Sequence, residues 1–132
     1  MSYWFSKAID FGTDYTSTVS GTTNRQGRSP SQFFVHDSMK GLASFDQPHA
    51  LAFDSQGRLF VGDRGNWLIK IFDSEGNFLD EWKQFGRPSG IYIDAADNIY
   101  VTDTTSGGKY NTGLRRGIRV ASAKDGTVRA LI

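Results

Sequence analysis

The sequence predicts an all-β fold built from repeated four-stranded antiparallel sheets, and three observations support this prediction. The stretch QPHALAFDSQGRLFVGDRGN (47–66) returns forty residues later as RPSGIYIDAADNIYVTDTTS (87–106). Within each copy, apolar and other residues alternate with a period of two, which is typical of strands. Short Gly- and Asn-containing segments separate the alternating runs, as in tight hairpins. Four-stranded units that recur every ~40–50 residues are typical of a β-propeller.

The two copies align with Pro48 on Pro88, and the alignment predicts the strands. In the first copy we expect strands over 49–54, 58–63, 67–73 and 77–83. In the second copy we expect them over 89–94, 98–103, 117–123 and 127–132. The turns between the first two strands of each copy are 55–57 and 96–98. Here Gly57 and Asn98 are residue types that tolerate the left-handed backbone of a hairpin turn.

The repeat divides the chain of 132 residues into four parts. We expect an irregular segment over 1–32, a partial blade over 33–47, a blade over 48–86, and a blade over 87–132 with a long loop at 104–116. The partial blade is expected because FFVHDS (33–38) resembles IKIFDS (69–74). The final strand TVRALI is apolar, and an uncovered apolar sheet face favours aggregation. We therefore expect an incomplete propeller, completed by missing blades or by other copies of the chain.

Composition excludes several classes of protein. The net charge is +1, so no global field favours nucleic acid or a membrane surface as a partner. Cysteine is absent, which excludes disulfides and thiolate metal sites. No run approaches ~18 apolar residues, so no transmembrane helix is expected. The first residues, MSYWFSKAIDFG, lack the apolar core and cleavage site of a signal peptide. None of these features assigns the protein to a cellular compartment.

Both copies resemble NHL repeats. The resemblance rests on PHALAFDSQGRLFVGDRGNWLIKIFD and PSGIYIDAADNIYVTDT. The matching positions are Pro48, Asp54, Gly57, Val61, Asp63, Asn66, Ile69 and Phe72. The first copy departs from the pattern at Trp67-Leu68, since the family usually has an arginine just before the isoleucine. The resemblance implies a propeller of the NHL, six-bladed type, incomplete in this chain. It also implies that the chain acts as a binding or scaffold module. This function is an expectation, since a fold by itself does not define an activity.

An enzymatic alternative depends on His49. The segment Pro48-His49-Ala50-Leu51-Ala52 is similar to the motif that binds zinc in peptidyl-α-hydroxyglycine α-amidating lyase, an NHL-type enzyme. That enzyme holds zinc on the propeller axis with three histidines, so the resemblance implies one zinc ligand here, His49. Ser89 takes its place in the second copy, and His36 lies in an outer-strand context. A zinc-dependent peptidylamidoglycolate lyase-like activity would need ligands beyond this chain. The other interpretation is that His49 is a hydrogen-bonded residue at the start of a strand.

The recurring aspartates and prolines are expected to be structural. Asp63 and Asp103 end a Val-x-Asp strand in each copy, and we expect their carboxylates to accept backbone N–H bonds at the following turn. Asp54 and Asp94 are expected to cap hairpin turns. For Asp63 and Asp103, calcium binding is the alternative interpretation, because hard cations prefer carboxylate ligands. Pro48 and Pro88 mark the start of each copy.

The loop 104–116 is the candidate binding region. Loops that break the period of a repeat often lie on the binding face. This one carries Lys109, Tyr110, Arg115 and Arg116, followed by Arg119. Basic side chains beside Gly-rich backbone could hold a peptide or a small anionic ligand, through a carboxylate or a phosphate. The alternative is a solvated loop without a ligand. RNA is not expected as a partner, because RNA requires a broad basic surface.

Overall fold

The part of the protein that the structure describes forms two antiparallel four-stranded sheets. The computed structural model describes residues 45–111 and 113–132, and these residues contain no helix. Blade 1 has the order β1-β2-β3-β4 and blade 2 the order β5-β6-β7-β8. The strands of blade 1 are β1 (Pro48–Phe53), β2 (Leu59–Asp63), β3 (Leu68–Phe72) and β4 (Phe78–Trp82). Those of blade 2 are β5 (Pro88–Ile93), β6 (Asn98–Asp103), β7 (Gly117–Ser122) and β8 (Val128–Leu131). The predicted all-β fold of four-stranded units is confirmed.

The predicted segments before blade 1 lie almost wholly outside the described residues. The segment 1–32, most of the partial blade 33–47, and His36 belong to the range 1–44 that the structure does not describe. The described end of that segment begins at Phe45, whose ring centroid lies 6.1 Å from that of Phe72 in β3. No helix in the described ranges is long and apolar enough to cross a membrane.

The predicted strands agree with the observed ones to within one residue at each end, but one turn prediction was wrong. Gly57 takes the left-handed backbone in blade 1 (φ 78°), and its equivalent in blade 2 is Asp97 (φ 59°) rather than Asn98. Asn98 instead begins β6, and its side-chain amide donates to the Asp94 carboxylate at 2.9 Å. Asp also tolerates the left-handed region, and Asp97 gains bonds to blade 1 that a glycine could not make.

The hydrophobic core lies between the two blades. Because strand residues alternate between faces, one face of blade 1 presents Phe60, Ile69, Ile71 and Trp82 to blade 2. Blade 2 contributes four further buried side chains, which are Ile99, Val101, Ala121 and Ala123. The rings of Phe60 and Trp82 meet edge to face, with centroids 5.5 Å apart. Burying a large apolar side chain of this kind stabilises by ~1.5–3 kcal/mol.

Close backbone approach and polar bonds also join the blades. A Cβ on Gly62 would lie 3.3 Å from both Ile91 Cδ1 and Pro88 Cβ, so glycine lets β5 pack close to β2. The Ser55 N–H and hydroxyl donate to the Asp97 carboxylate at 2.8 and 2.5 Å. These contacts fix the blades relative to each other.

The opposite face of blade 2 has no described neighbour. This surface, which we call the outer face, consists of Tyr92, Tyr100, Ile118 and Ile132. Tyr92 is 64% exposed, Ile118 38% and Ile132 77%. In the alignment of the copies and the strand registers, their equivalents in blade 1 are Ala52, Phe60, Ile69 and Trp82. Those four are buried. The same face is therefore covered in one blade and exposed in the other.

Candidate functional site

The predicted site residue His49 lies at an irregularity near the start of β1. Pro48 pairs with Asp63, and Ala50 pairs with Gly62, so His49 is an extra residue in the register. β5 has the same irregularity between Pro88 and Gly90, which places Ser89 in the equivalent position. Bulges of this kind redirect a side chain and are frequent beside functional sites.

Two arginines lie close enough to His49 to affect its proton affinity. Partial burial lowers the pKa of His49 below its ordinary value of 6.5, and the charges of Arg64 and Arg87 lower it further. Arg64 directly follows β2 and donates to the side-chain oxygen of Gln47 at 3.3 Å. Arg87 directly precedes β5. Three separate segments thus bring basic side chains to one end of the two blades, which we call the basic end.

Arg87 is a buried cation with incomplete hydrogen bonding. The residue is only 7% exposed. The carbon at the centre of its guanidinium lies 4.3 Å from the ring centroid of Tyr110, and Nη1 donates to Thr105 Oγ1 at 3.2 Å. Nε is buried and has no hydrogen-bond partner. Buried polar atoms are nearly always hydrogen-bonded, so an unpartnered Nε requires an explanation.

The loop 104–116 brings one of its four predicted binding residues, Tyr110, to Arg87. Left-handed backbone at Gly107, Gly108 and Asn111 turns the chain sharply, and Gly107 pairs with Tyr110. The Tyr110 ring then lies against Arg87, and the Lys109 ammonium lies 5.3 Å from the same ring centroid. The side chains of the other two predicted residues, Arg115 and Arg116, belong to exposed positions. Residue 112 lies outside the described ranges.

Arg119 was grouped with the basic loop residues, and the structure places it elsewhere. It is buried, and its Nη1 lies 3.3 Å from the Asp103 carboxylate. Its Nη2 donates to the backbone carbonyl of Arg115 at 2.7 Å. Arg119 therefore holds the end of the loop in place and is already neutralised by a carboxylate.

The two equivalent aspartates have opposite pKa shifts. Burial raises the pKa of Asp63, and hydrogen bonds from Asn66 and the Asp46 N–H, with the charge of Lys70, only partly offset this. Burial also acts to raise the pKa of Asp103, but hydrogen bonds from Ser106 and Thr105 outweigh it, and the pKa is lowered. The Asp103 bonds come from the N–H groups of the following turn, at 3.1 Å from Thr105 and 2.9 Å from Ser106.

The arginine expected before the isoleucine is absent, and a cation one residue after the isoleucine pairs with the strand-end aspartate in each blade. Lys70 Nζ lies 3.4 Å from the Asp63 carboxylate in blade 1, and Arg119 occupies the equivalent position in blade 2. Residues two apart on a strand share a face, so the later position still reaches the aspartate. Sequence reasoning missed this pairing, although both copies carry a basic residue directly after Ile69 and Ile118.

The remaining recurring residues lie in turns and at strand starts. Asp54 accepts from the N–H groups of Gln56 and Arg58 at 3.0 and 2.9 Å. Asp94 accepts from those of Ala96 and Asn98 at 2.9 and 2.8 Å. A hydrogen bond from the Asn98 side chain is the largest of several that lower the pKa of Asp94. Pro48 and Pro88 are the first residues of β1 and β5, a position where strands tolerate proline.

The described residues do not fit a zinc site. Across residues 45–111 and 113–132, no three His, Asp or Glu side chains are grouped so that they could hold a metal ion. A catalytic zinc requires three protein ligands. His49 is the single histidine in these ranges, and the two guanidinium charges that lower its pKa would also repel a cation.

Two packed four-stranded antiparallel sheets are the arrangement of neighbouring blades in a β-propeller. Residues 45–72, which span β1 to β3, match the model of the NHL repeat family. The chain is also similar to NHL repeat-containing protein 3 of Homo sapiens, with 46% identity over 43 residues. The same protein of Mus musculus is 42% identical over 43 residues. Each match covers 32% of this chain and 12% of the relative, so the matched stretch is a small part of those proteins.

Sequence reasoning missed Arg64 and Arg87, which the structure brings to His49. Each stands at the edge of a strand, Arg64 after the Val-x-Asp strand and Arg87 before the proline that opens the second copy. Their only sequence signal is their position next to Asp63 and Pro88, and their approach to His49 follows from the packing of the two blades.

Proposed function

We propose that the chain is a non-catalytic binding and scaffold module, two blades of an NHL-type β-propeller whose outer face receives a further blade. The observation that carries the proposal is the exposure of Ile118 and Ile132, whose equivalents in blade 1 are buried against blade 2. Such a repeat buries a sheet face only when a neighbour covers it. A longer polypeptide or another copy of the chain could supply the neighbouring blade.

The ligand of this module would bind at the basic end. The loop 104–116 lengthens the second copy relative to the first. In this loop Tyr110 lies against Arg87, and Lys109 lies near the Tyr110 ring. Inserted loops of repeat proteins are common binding elements. A peptide or a small anion is the ligand class that these basic groups favour.

The lyase-like alternative requires zinc at His49, and no observation on the described residues favours it. The ligands that would complete the site would have to come from other blades. Zinc content is therefore measured together with the assembly state, because bound zinc would support the lyase-like alternative.

The test is size-exclusion chromatography with light scattering on the full chain over a range of concentrations, with zinc analysis of the same peak. We expect concentration-dependent association, or binding of a hydrophobic dye where the chain remains monomeric. The variant Ile118→Lys should reduce both, because it places a charge on the outer face. The control is Leu79→Lys, which changes an exposed residue (48%) on β4 and should have no effect.

A monodisperse monomer that binds no hydrophobic dye would contradict the proposal. Equal effects of Ile118→Lys and Leu79→Lys would also contradict it, since the outer face would then have no special role. A metal-free assembly supports the scaffold role, whereas about one zinc per assembly would support the lyase-like alternative.

A further inference from the structure

We propose that Arg87 is the anchor of an oxyanion-binding site at the basic end, one that takes the carboxylate or phosphate group of a ligand. The inference rests on the proposed binding function and gives it a ligand chemistry. The residues around the anion would be Arg87, Arg64 and His49. None of them belongs to the binding residues that were predicted in the loop 104–116.

The first argument is the geometry of the Arg87 guanidinium. The Tyr110 ring covers one face of the planar guanidinium, and Nη1 donates a hydrogen bond to Thr105 Oγ1. The bond from Nη1 is the only one that the guanidinium makes within residues 45–111 and 113–132. This leaves the edge formed by Nε and Nη2, two parallel N–H donors that match a carboxylate or phosphate oxygen pair.

The second argument is charge. Two carboxylates near this end are already paired, Asp63 with Lys70 and Asp103 with Arg119. The Arg64 guanidinium bonds only to the neutral amide oxygen of the Gln47 side chain among the described residues. Arg87 has no described carboxylate partner, although it is buried. Since a buried charge without a partner is costly, an anion is the group that would best complete the site.

The third argument is preorganisation. Stacking on Tyr110 and the bond to Thr105 fix the plane of the Arg87 guanidinium before any ligand arrives. A fixed donor fork loses less conformational entropy on binding than a free side chain. The exposed Arg115 and Arg116, in contrast, have no described contact that would orient their side chains. The site therefore centres on Arg87 rather than on those loop arginines.

The test is an NMR titration of the full chain that follows the arginine Nε–Hε signals. Sodium phosphate and sodium acetate are the probes, and sodium chloride at matched ionic strength is the control. We expect one arginine signal to shift and saturate with phosphate or acetate and not with chloride. Stronger binding of phosphate would indicate a phosphorylated ligand, and stronger binding of acetate would indicate a carboxylate such as a peptide C-terminus.

The variant Arg87→Lys keeps the charge and removes the fork, so we expect at least ~tenfold weaker binding. The matched control is Arg116→Lys, which should bind as the wild type does. Equal binding by Arg87→Lys, in a variant whose spectrum shows a native fold, would overturn the proposal. Identical, non-saturating shifts with all three salts would also overturn it.

The same samples separate this inference from the proposed function. Ile118→Lys changes the outer face and should leave anion binding intact. Association without anion binding would reject the Arg87 site alone, whereas anion binding without association or dye binding would reject the scaffold proposal alone.

Discussion

Blade 1 and blade 2 have the same strand pattern and nearly the same registers, yet they differ in how much of each strand is buried. Every residue of β2 and β3 is buried, while buried and half-buried residues alternate along β6. The side of β6 that faces blade 1 is the buried one. A single repeat thus encodes a sheet that can be covered on both faces, and its neighbours decide how much of that burial is achieved.

The largest difference between the blades should appear at the equivalent positions 60 and 100. Phe60 is fully buried between the blades, whereas Tyr100 lies on the outer face. We expect Phe60→Ala to lower the free energy of unfolding by about 3–5 kcal/mol and Tyr100→Ala to lower it much less. Urea denaturation of the monomeric chain measures both. Equal losses would mean that the outer face is already covered.

The second comparison is between Asp103 and Asp63. We expect Asp103→Asn to cost about 2 kcal/mol near neutral pH, because it weakens charge-assisted bonds from the turn. Asp63→Asn should cost less, since burial already disfavours its charged form. Denaturation at pH 7 compares the two, and a larger loss for Asp63→Asn would contradict the opposite pKa shifts.

The pH dependence of the two variants sharpens the same comparison. The pKa of Asp103 is lowered in the folded protein. Its contribution to the free energy of unfolding is therefore present above pH 3.8, its ordinary pKa, and is lost as the pH falls through the pKa of the folded state. The pKa of Asp63 is raised in the folded protein. Its stabilising contribution to the free energy of unfolding is therefore present below pH 3.8 and is lost as the pH rises through the pKa of the folded state. The loss of stability caused by Asp103→Asn should therefore shrink as the pH falls, whereas the loss caused by Asp63→Asn should shrink as the pH rises.

A smaller effect is expected where the hairpin turns of the blades differ. Asp97→Gly relieves the left-handed backbone but removes both bonds from Ser55, and we expect a net loss of about 1 kcal/mol. Ser55→Ala should be destabilising in the wild type and nearly neutral when Asp97 is Gly. A double-mutant cycle measures this coupling, and additive losses would mean that the bond between the blades contributes nothing.

The smallest effect concerns His49 and its equivalent Ser89. A lowered pKa means that the unfolded chain binds the proton more readily, so the wild type should lose stability as the pH falls below 6.5. His49→Gln should remove this component. The comparison is the difference in melting temperature between pH 7.5 and 5.5 for the two proteins. His36 is present in both and cancels, and an unchanged difference would contradict the shift.

The strands could be predicted from the sequence because their information is local. Alternation and turn residues placed all eight strands, and the internal repeat placed Asp63 and Asp103 at equivalent strand ends. The basic end could not be predicted in the same way. Arg87 meets Tyr110 through a loop whose path depends on left-handed residues, and it approaches His49 only because β1 and β5 pack together. Those contacts depend on the packing of the blades, which no local pattern encodes.

The glycine at position 62 has a geometric consequence for any ring that contains these blades. Its equivalent in blade 2 is Thr102, whose side chain reaches the Gly90 carbonyl at 3.4 Å and occupies the space that a Cβ on Gly90 would need. A next blade in the same orientation would meet Thr102 where Pro88 meets Gly62. It would have to stand farther from the strand, so the spacing between successive blades would be unequal.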